Sequence, residues 1–160
     1  MASPKRSVVE TASTAYEADL SAWAMEQAAR LRAAAWSRLD IDNLADEIED
    51  AARSERHALT SALRIILLHL LKWDHQPERR TRSWAEFIRM QRLAVQDRLD
   101  DSPSLNRQIG ELLPRAYRRA RIEAAGETGL DDAVFPAACP YGFEELMTRE
   151  IPWPPASEGP

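Results

Sequence analysis

The most constraining feature of this chain is a run from residue 41 to residue 74 that contains neither glycine nor proline and whose apolar residues step alternately by three and four. Ile48, Ala52, Leu59, Leu63, Ile66, Leu70 and Trp73 fall on this stepping, and Glu55 falls in the same register. Such alternation is the 3.6-residue period of an α-helix that buries one face. Asp40 offers a capping carboxylate just before the run, and Pro77 forbids continuation after it. One helix about 50 Å long follows, at ~1.5 Å per residue; the alternative is a break near Asp50. A helix of this length needs partners along its flank, which predicts several shorter helices lying against it.

The rest of the chain agrees with an all-α fold. Five glycines in 160 residues, and no Asn-Gly or Asp-Gly pair, leave hairpins without their usual turn chemistry, whereas the abundant Ala, Leu, Arg and Glu enter helices at little cost. Thr14 with Glu17 reads as a capping box opening helix one, whose apolar stripe is Tyr16, Leu20, Trp23 and Leu31 and which fades near Ala34. Ser83 with Glu86 opens helix three, with Trp84, Ile88, Val95 and Leu99 on one side. Ser102 and Pro103 open helix four, which turns Leu105, Ile109, Leu112, Ala116 and Ala120 inward, is kinked by Pro114 and ends at Gly126 or Gly129. Six prolines from Pro136 onward impose an extended segment apart from a short helix over Phe143 to Thr148. Connections of about five to nine residues favour antiparallel neighbours. The expectation is an up-down bundle of about four helices around the long one, as a single all-α domain over 14–151, with a disordered tail at 1–13 and a loose one at 152–160.

Several function classes drop out. The apolar segment Leu63 to Trp73 is shorter than the ~20 residues that a bilayer requires and carries Arg64, His69 and Lys72. Cys139 is the only cysteine and no secretory pattern opens the chain, so a cytoplasmic protein is expected. The net charge of −5 argues against wholesale coating by nucleic acid but allows a local basic patch.

A series of phrases resembles a known family. They are Tyr16-Glu17-Ala18-Asp19-Leu20, Leu39-Asp40-Ile41-Asp42-Asn43-Leu44-Ala45-Asp46-Glu47-Ile48-Glu49, Ser54-Glu55-Arg56 and Leu67-Leu68-His69-Leu70-Leu71-Lys72-Trp73. Gln76-Pro77-Glu78-Arg79-Arg80, Ser83-Trp84, Ser102-Pro103-Ser104-Leu105, Phe135-Pro136 and Cys139-Pro140-Tyr141 continue the match. Over roughly residues 16 to 153 the chain is similar to the bacterial domain of unknown function 29. Gly142 departs from the Ser or Thr more usual there, and Pro114 is a second departure. The resemblance implies a bacterial, mainly helical protein and transfers no activity.

Few residues are placed unusually enough to carry chemistry. Glu55, inside the apolar stripe, must be paired, hydrogen-bonded or protonated; Arg107 stands at about the right height to pair with it, and a functional carboxylate is the other reading. His69 flanks the stripe beside Leu70, either as an amphipathic filler or as a functional group. Arg64 and His69 are similar to the Arg-x4-His signature of helical HEPN ribonucleases, yet five residues of regular helix separate the two side chains by roughly 140°. No Glu-x-x-His pairs occur, and His57, His69 and His75 lack the four-residue spacing that metal ligands on one helix face would need, so neither a metal nor a cofactor is expected. Cys139, with no identifiable cation or base beside it, reads as a packing residue. Lys72, Arg79, Arg80, Arg82, Arg89 and Arg92, interleaved with Trp73 and Trp84, form a basic cluster. It is either a grip for phosphates and bases or a helix corner in which Trp packs and Arg binds open carbonyls. Asp40 to Asp50 is the opposite pole, with six acids and no base.

The expected function is therefore a non-catalytic helical scaffold or interaction protein, its partner an unidentified protein or a second copy. The alternative is a nucleic-acid protein, either binding through Arg79, Arg80, Arg82 and Trp84 or cleaving RNA through Arg64 and His69.

Overall fold

A computed structural model describes residues 15 to 152. The expected tails at 1–13 and after Pro152, and the Thr14 cap, lie outside the described residues. The chain forms two compact units whose boundary falls between Ala51 and Ala52. The described residues form helices and no strand.

The first unit holds α1 (Leu20–Arg32), a 3-10 turn (Trp36–Arg38) and the opening turns of α2 (Ile41–His75). α1 begins later than the Thr14–Glu17 pattern implies: Asp19 is the cap, its carboxylate accepting from the Ala22 amide at 2.9 Å. Asp is as good an acceptor as Thr, so a second cap was on offer five residues further along and the spacing alone could not rank the two. The helix closes with the Ala34 amide donating to the Leu31 carbonyl and the Ala35 amide to that of Arg30. This C-terminal motif places Ala34 at a φ of 53°, the left-handed conformation usually left to glycine. The small core is polar at its centre. The Trp23 indole donates to Asp40 at 3.1 Å, and Gln27, wholly buried, accepts from the Asp40 amide at 2.9 Å. Asp40 thereby ties α1 to the start of α2.

In the second unit α2 continues to His75 without the break weighed near Asp50. Its face from Leu59 to Leu71 is buried against α3 (Arg82–Asp101) and α4 (Ile109–Thr128). The directions follow from the side chains that meet. Trp84, Phe87 and Arg98 of α3 meet Lys72, His69 and Glu55 of α2, so that pair is antiparallel. Glu111, Glu123 and Glu127 of α4 meet Arg56, Arg64 and Lys72, so α4 runs parallel to α2. This is the expected up-down order. The cap of α3 is Thr81, accepting from Trp84, rather than Ser83. Ser102 makes no side-chain cap bond, and a 3-10 turn over Pro103–Gln108 precedes α4, which continues through Pro114 and ends on Gly129 at a φ of 70°.

The inward positions expected in α3 and α4 hold: Ile88, Val95, Leu99, Leu105, Ile109, Leu112, Ala116 and Ala120 are buried, while Trp84 is half-buried. The expectation fails at the other end of the α2 stripe, where Ile48, Ala52 and Glu55 are exposed. The period continues there, but periodicity fixes only which residues share a face. Within the second unit that face is first covered at Leu59.

The proline-rich C-terminal segment carries a 3-10 turn at Asp132–Val134 and the expected short helix α5 (Phe143–Thr148). Extended backbone has carbonyls that need donors, and long side chains supply them. Tyr117 donates to the Pro136 carbonyl at 2.6 Å, Arg121 to those of Phe135 and Asp132, and Arg92 to that of Leu146. Phe135, Tyr141 and Leu146 then close the core.

Candidate functional site

The residues marked out by sequence disperse rather than converge. Glu55 is not in the core: its side chain is 48% exposed and it pairs with Arg98 at 3.3 Å, not with Arg107. In the antiparallel pairing of α2 and α3, the last turns of α3 arrive at that height, which brings Arg98 rather than a residue of the following turn. Arg64 reaches α4, where it pairs with Glu123. His69 instead faces α3, stacked on Phe87 with centroids 4.9 Å apart, its Nδ1–H donating to the Ile65 carbonyl. Burial pushes its imidazole below the ordinary value, ahead of repulsion from Lys72. Arg64 and His69 thus serve different helices, as the ~140° separation requires, and do not form one phosphate site.

The basic cluster is built as a helix corner. Lys72 is buried, donates to Glu127 at 2.5 Å and lies 4.5 Å from the Trp84 ring centroid. Trp73 is 3% exposed, so its ring is closed to an incoming base. Arg80 donates to the Trp73 carbonyl at 2.9 Å and lies over the same ring. Arg79, Arg80 and Arg82 are exposed. Asp74, next along, accepts both arms of Arg149 and the hydroxyl of Tyr141, which clasps the C-terminal segment to the end of α2. Burial of Asp74 would raise its carboxyl, but these bonds outweigh it and hold it below the usual range. Burial pushes the Cys139 thiol up, which opposes a nucleophilic role. Among the described residues no three His, Cys, Asp or Glu side chains gather as metal ligands would, and no helix is long and apolar enough to cross a membrane.

A surface that the sequence reading passed over lies in the first unit. A groove of about 610 Å³ runs between α1 and the opening turns of α2, lined by Leu20, Ala24, Ala28, Leu31, Leu44 and Ile48 among others. Leu20 is 50% exposed and Ile48 70%. Spacings of four and of three or four on both helices put these aliphatic side chains in two facing rows. The methyls of Ala24 and Ala28 and the ring of Trp23 also line the groove. Its surroundings are acidic: residues 15–51 hold nine carboxylates against three arginines. Glu47, at the groove, accepts from the Tyr16 hydroxyl at 2.5 Å, and that bond pushes the phenol up to about 12. The readable signal was the apolar stripe Leu20–Leu31 itself, which predicted burial where the structure leaves exposure.

The match to a family covers both units: residues 15–151 fit the description "Domain of unknown function DUF29". The chain belongs to the DUF29 family. Neither the curated proteins nor the solved structures provide a match. For a DUF29 protein, then, function has to be read from surfaces such as this groove, and the family assignment adds no substrate or partner.

Proposed function

We propose that this DUF29 protein is a non-catalytic interaction protein of the bacterial cytoplasm, and that the α1–α2 groove of its first unit receives an amphipathic helix of another protein with basic flanks. The observation that carries this reading is the pair of exposed aliphatic rows, Leu20–Leu31 and Leu44–Ile48, the second of them inside the run Asp40 to Asp50 with its six acids and no base. Contiguous exposed apolar surface of this kind marks interaction sites, and a groove between two helices suits a third helix presenting residues at i, i+3, i+4 and i+7. The surrounding carboxylates select against an acidic ligand and favour Lys or Arg at its flanks.

A direct test uses two labelled model helices with the same leucine positions, one with lysine flanks and one with glutamate flanks, followed by anisotropy against the full chain. Saturable binding of the lysine helix alone, weakened about 10- to 150-fold by Ile48→Asp, is expected, corresponding to the ~1.5–3 kcal/mol of one buried aliphatic side chain. Equal binding of both helices, or indifference to Ile48→Asp, contradicts the proposal. So does a dimer in sedimentation that Ile48→Asp dissolves, since the groove would then belong to a second copy.

A further inference from the structure

The faces of α2 and α4 that meet in the second unit form a ladder of side chains with its middle rungs unmatched. On α4, Glu111, Arg115, Arg119 and Glu123 recur every four residues and so share one face. On α2, Arg56, Thr60 and Arg64 do the same. The outer rungs are closed ion pairs, Arg56 with Glu111 at 3.2 Å and Arg64 with Glu123. Between them, Arg115 and Arg119 line a cleft of about 290 Å³ opposite His57, Thr60 and Ser61. A second cleft of about 190 Å³ adjoins it through His57, Thr60 and Arg115 and reaches Arg53 and Arg56. Among the described residues neither Arg115 nor Arg119 has a hydrogen-bond or ion-pair partner, while both carboxylates of the cleft region are already held by arginines.

Two guanidinium groups one turn apart repel each other, and a chain with more acids than bases has ample carboxylates with which to separate or neutralise them. Here the acids are placed at the ends and the centre is left positive. A bound dianion completes such an arrangement: the guanidinium fork matches phosphate oxygens in pairs, and hydroxyls such as Ser61 can donate to those left over. The lining contains no Phe, Tyr or Trp, so apart from the single His57 imidazole there is no aromatic platform for a nucleobase, whereas phosphate oxygens have two guanidinium groups. We propose that the α2–α4 cleft is a phosphate site for a small ligand, inorganic phosphate or the terminal phosphate of a small molecule, held by Arg115 and Arg119.

The test is a thermal-shift and calorimetric titration of the full chain with inorganic phosphate and, separately, with inorganic triphosphate. The wild type is compared with Arg115→Ala/Arg119→Ala, with Arg119→Gln as a milder variant, and with Arg118→Ala, whose arginine lies outside the cleft lining. Phosphate or triphosphate should raise the Tm of the wild type and of Arg118→Ala, and the double variant should bind at least tenfold more weakly. Without ligand the double variant should melt no lower than the wild type, because the replaced arginines bond to nothing. Preference for triphosphate over phosphate assigns the site to a phosphorylated small molecule, and the reverse order to free phosphate. The proposal is overturned if neither anion binds, if the double variant binds as tightly as Arg118→Ala, or if only oligonucleotides bind.

Discussion

Ala34 closes α1 in a conformation that costs an L-residue with a β-carbon roughly 1–2 kcal/mol. Ala34→Gly should therefore raise stability, by about 0.5–1 kcal/mol once the extra freedom of glycine in the unfolded chain is subtracted. A urea melt with an unchanged slope and a higher midpoint is the expected result. His69 gives the second prediction at this scale. Its folded value lies below 6.5, with burial the largest cause and Lys72 adding to it, while the Ile65 carbonyl and Glu127 oppose. The folded state thus keeps His69 neutral while the unfolded chain takes up a proton below pH 6.5. Its contribution is complete above that pH and is lost as pH falls toward the folded value. His69→Gln should flatten the dependence of the melting midpoint on pH just below 6.5. A wild-type slope retained in the variant would assign it to other groups.

At the scale of elements, one stripe of α2 passes through two environments. Leu63 is wholly buried and Ile48 is 70% exposed, although both fall on the same three-four stepping. Leu63→Ala should cost about 2–5 kcal/mol, and Ile48→Ala should change stability by no more than about 0.5 kcal/mol. Comparable losses from the two would mean that Ile48 packs into a core. The stepping made the long helix and the inward residues of α3 and α4 readable in advance; the two glycines Gly126 and Gly129 were both candidates for the end of α4, and the structure uses Gly129, while the short α5 stands where it was expected. Cap positions were less readable, because Thr81 and Ser83, two residues apart, and Asp19 and Thr14, five apart, all offer a side-chain oxygen acceptor, and spacing alone does not rank such acceptors. The 3-10 entry to α4 was hidden for a similar reason, since Pro103 begins either kind of turn equally well.

At the scale of the molecule, charge is sorted by unit. Residues 15–51 are strongly acidic, and the arginines that line a cleft belong to the second unit. Sequence reading found the acidic pole and the contiguous basic cluster because each is local. It missed the α2–α4 cleft because Arg115 and Arg119 meet His57 and Thr60 only once two helices more than fifty residues apart in the chain are in register. It misassigned Glu55 because a stripe does not reveal where its cover ends. It also read Leu20 and Leu31 as core, although they line the groove that now carries the functional proposal. That proposal is tested most directly by titrating the lysine-flanked leucine helix into isotopically labelled protein and following backbone amide shifts. Shifts concentrated in residues 20–31 and 44–51, saturating with the anisotropy curve, are expected; shifts concentrated at the α2–α4 cleft, or none at saturating helix, would rule the groove out.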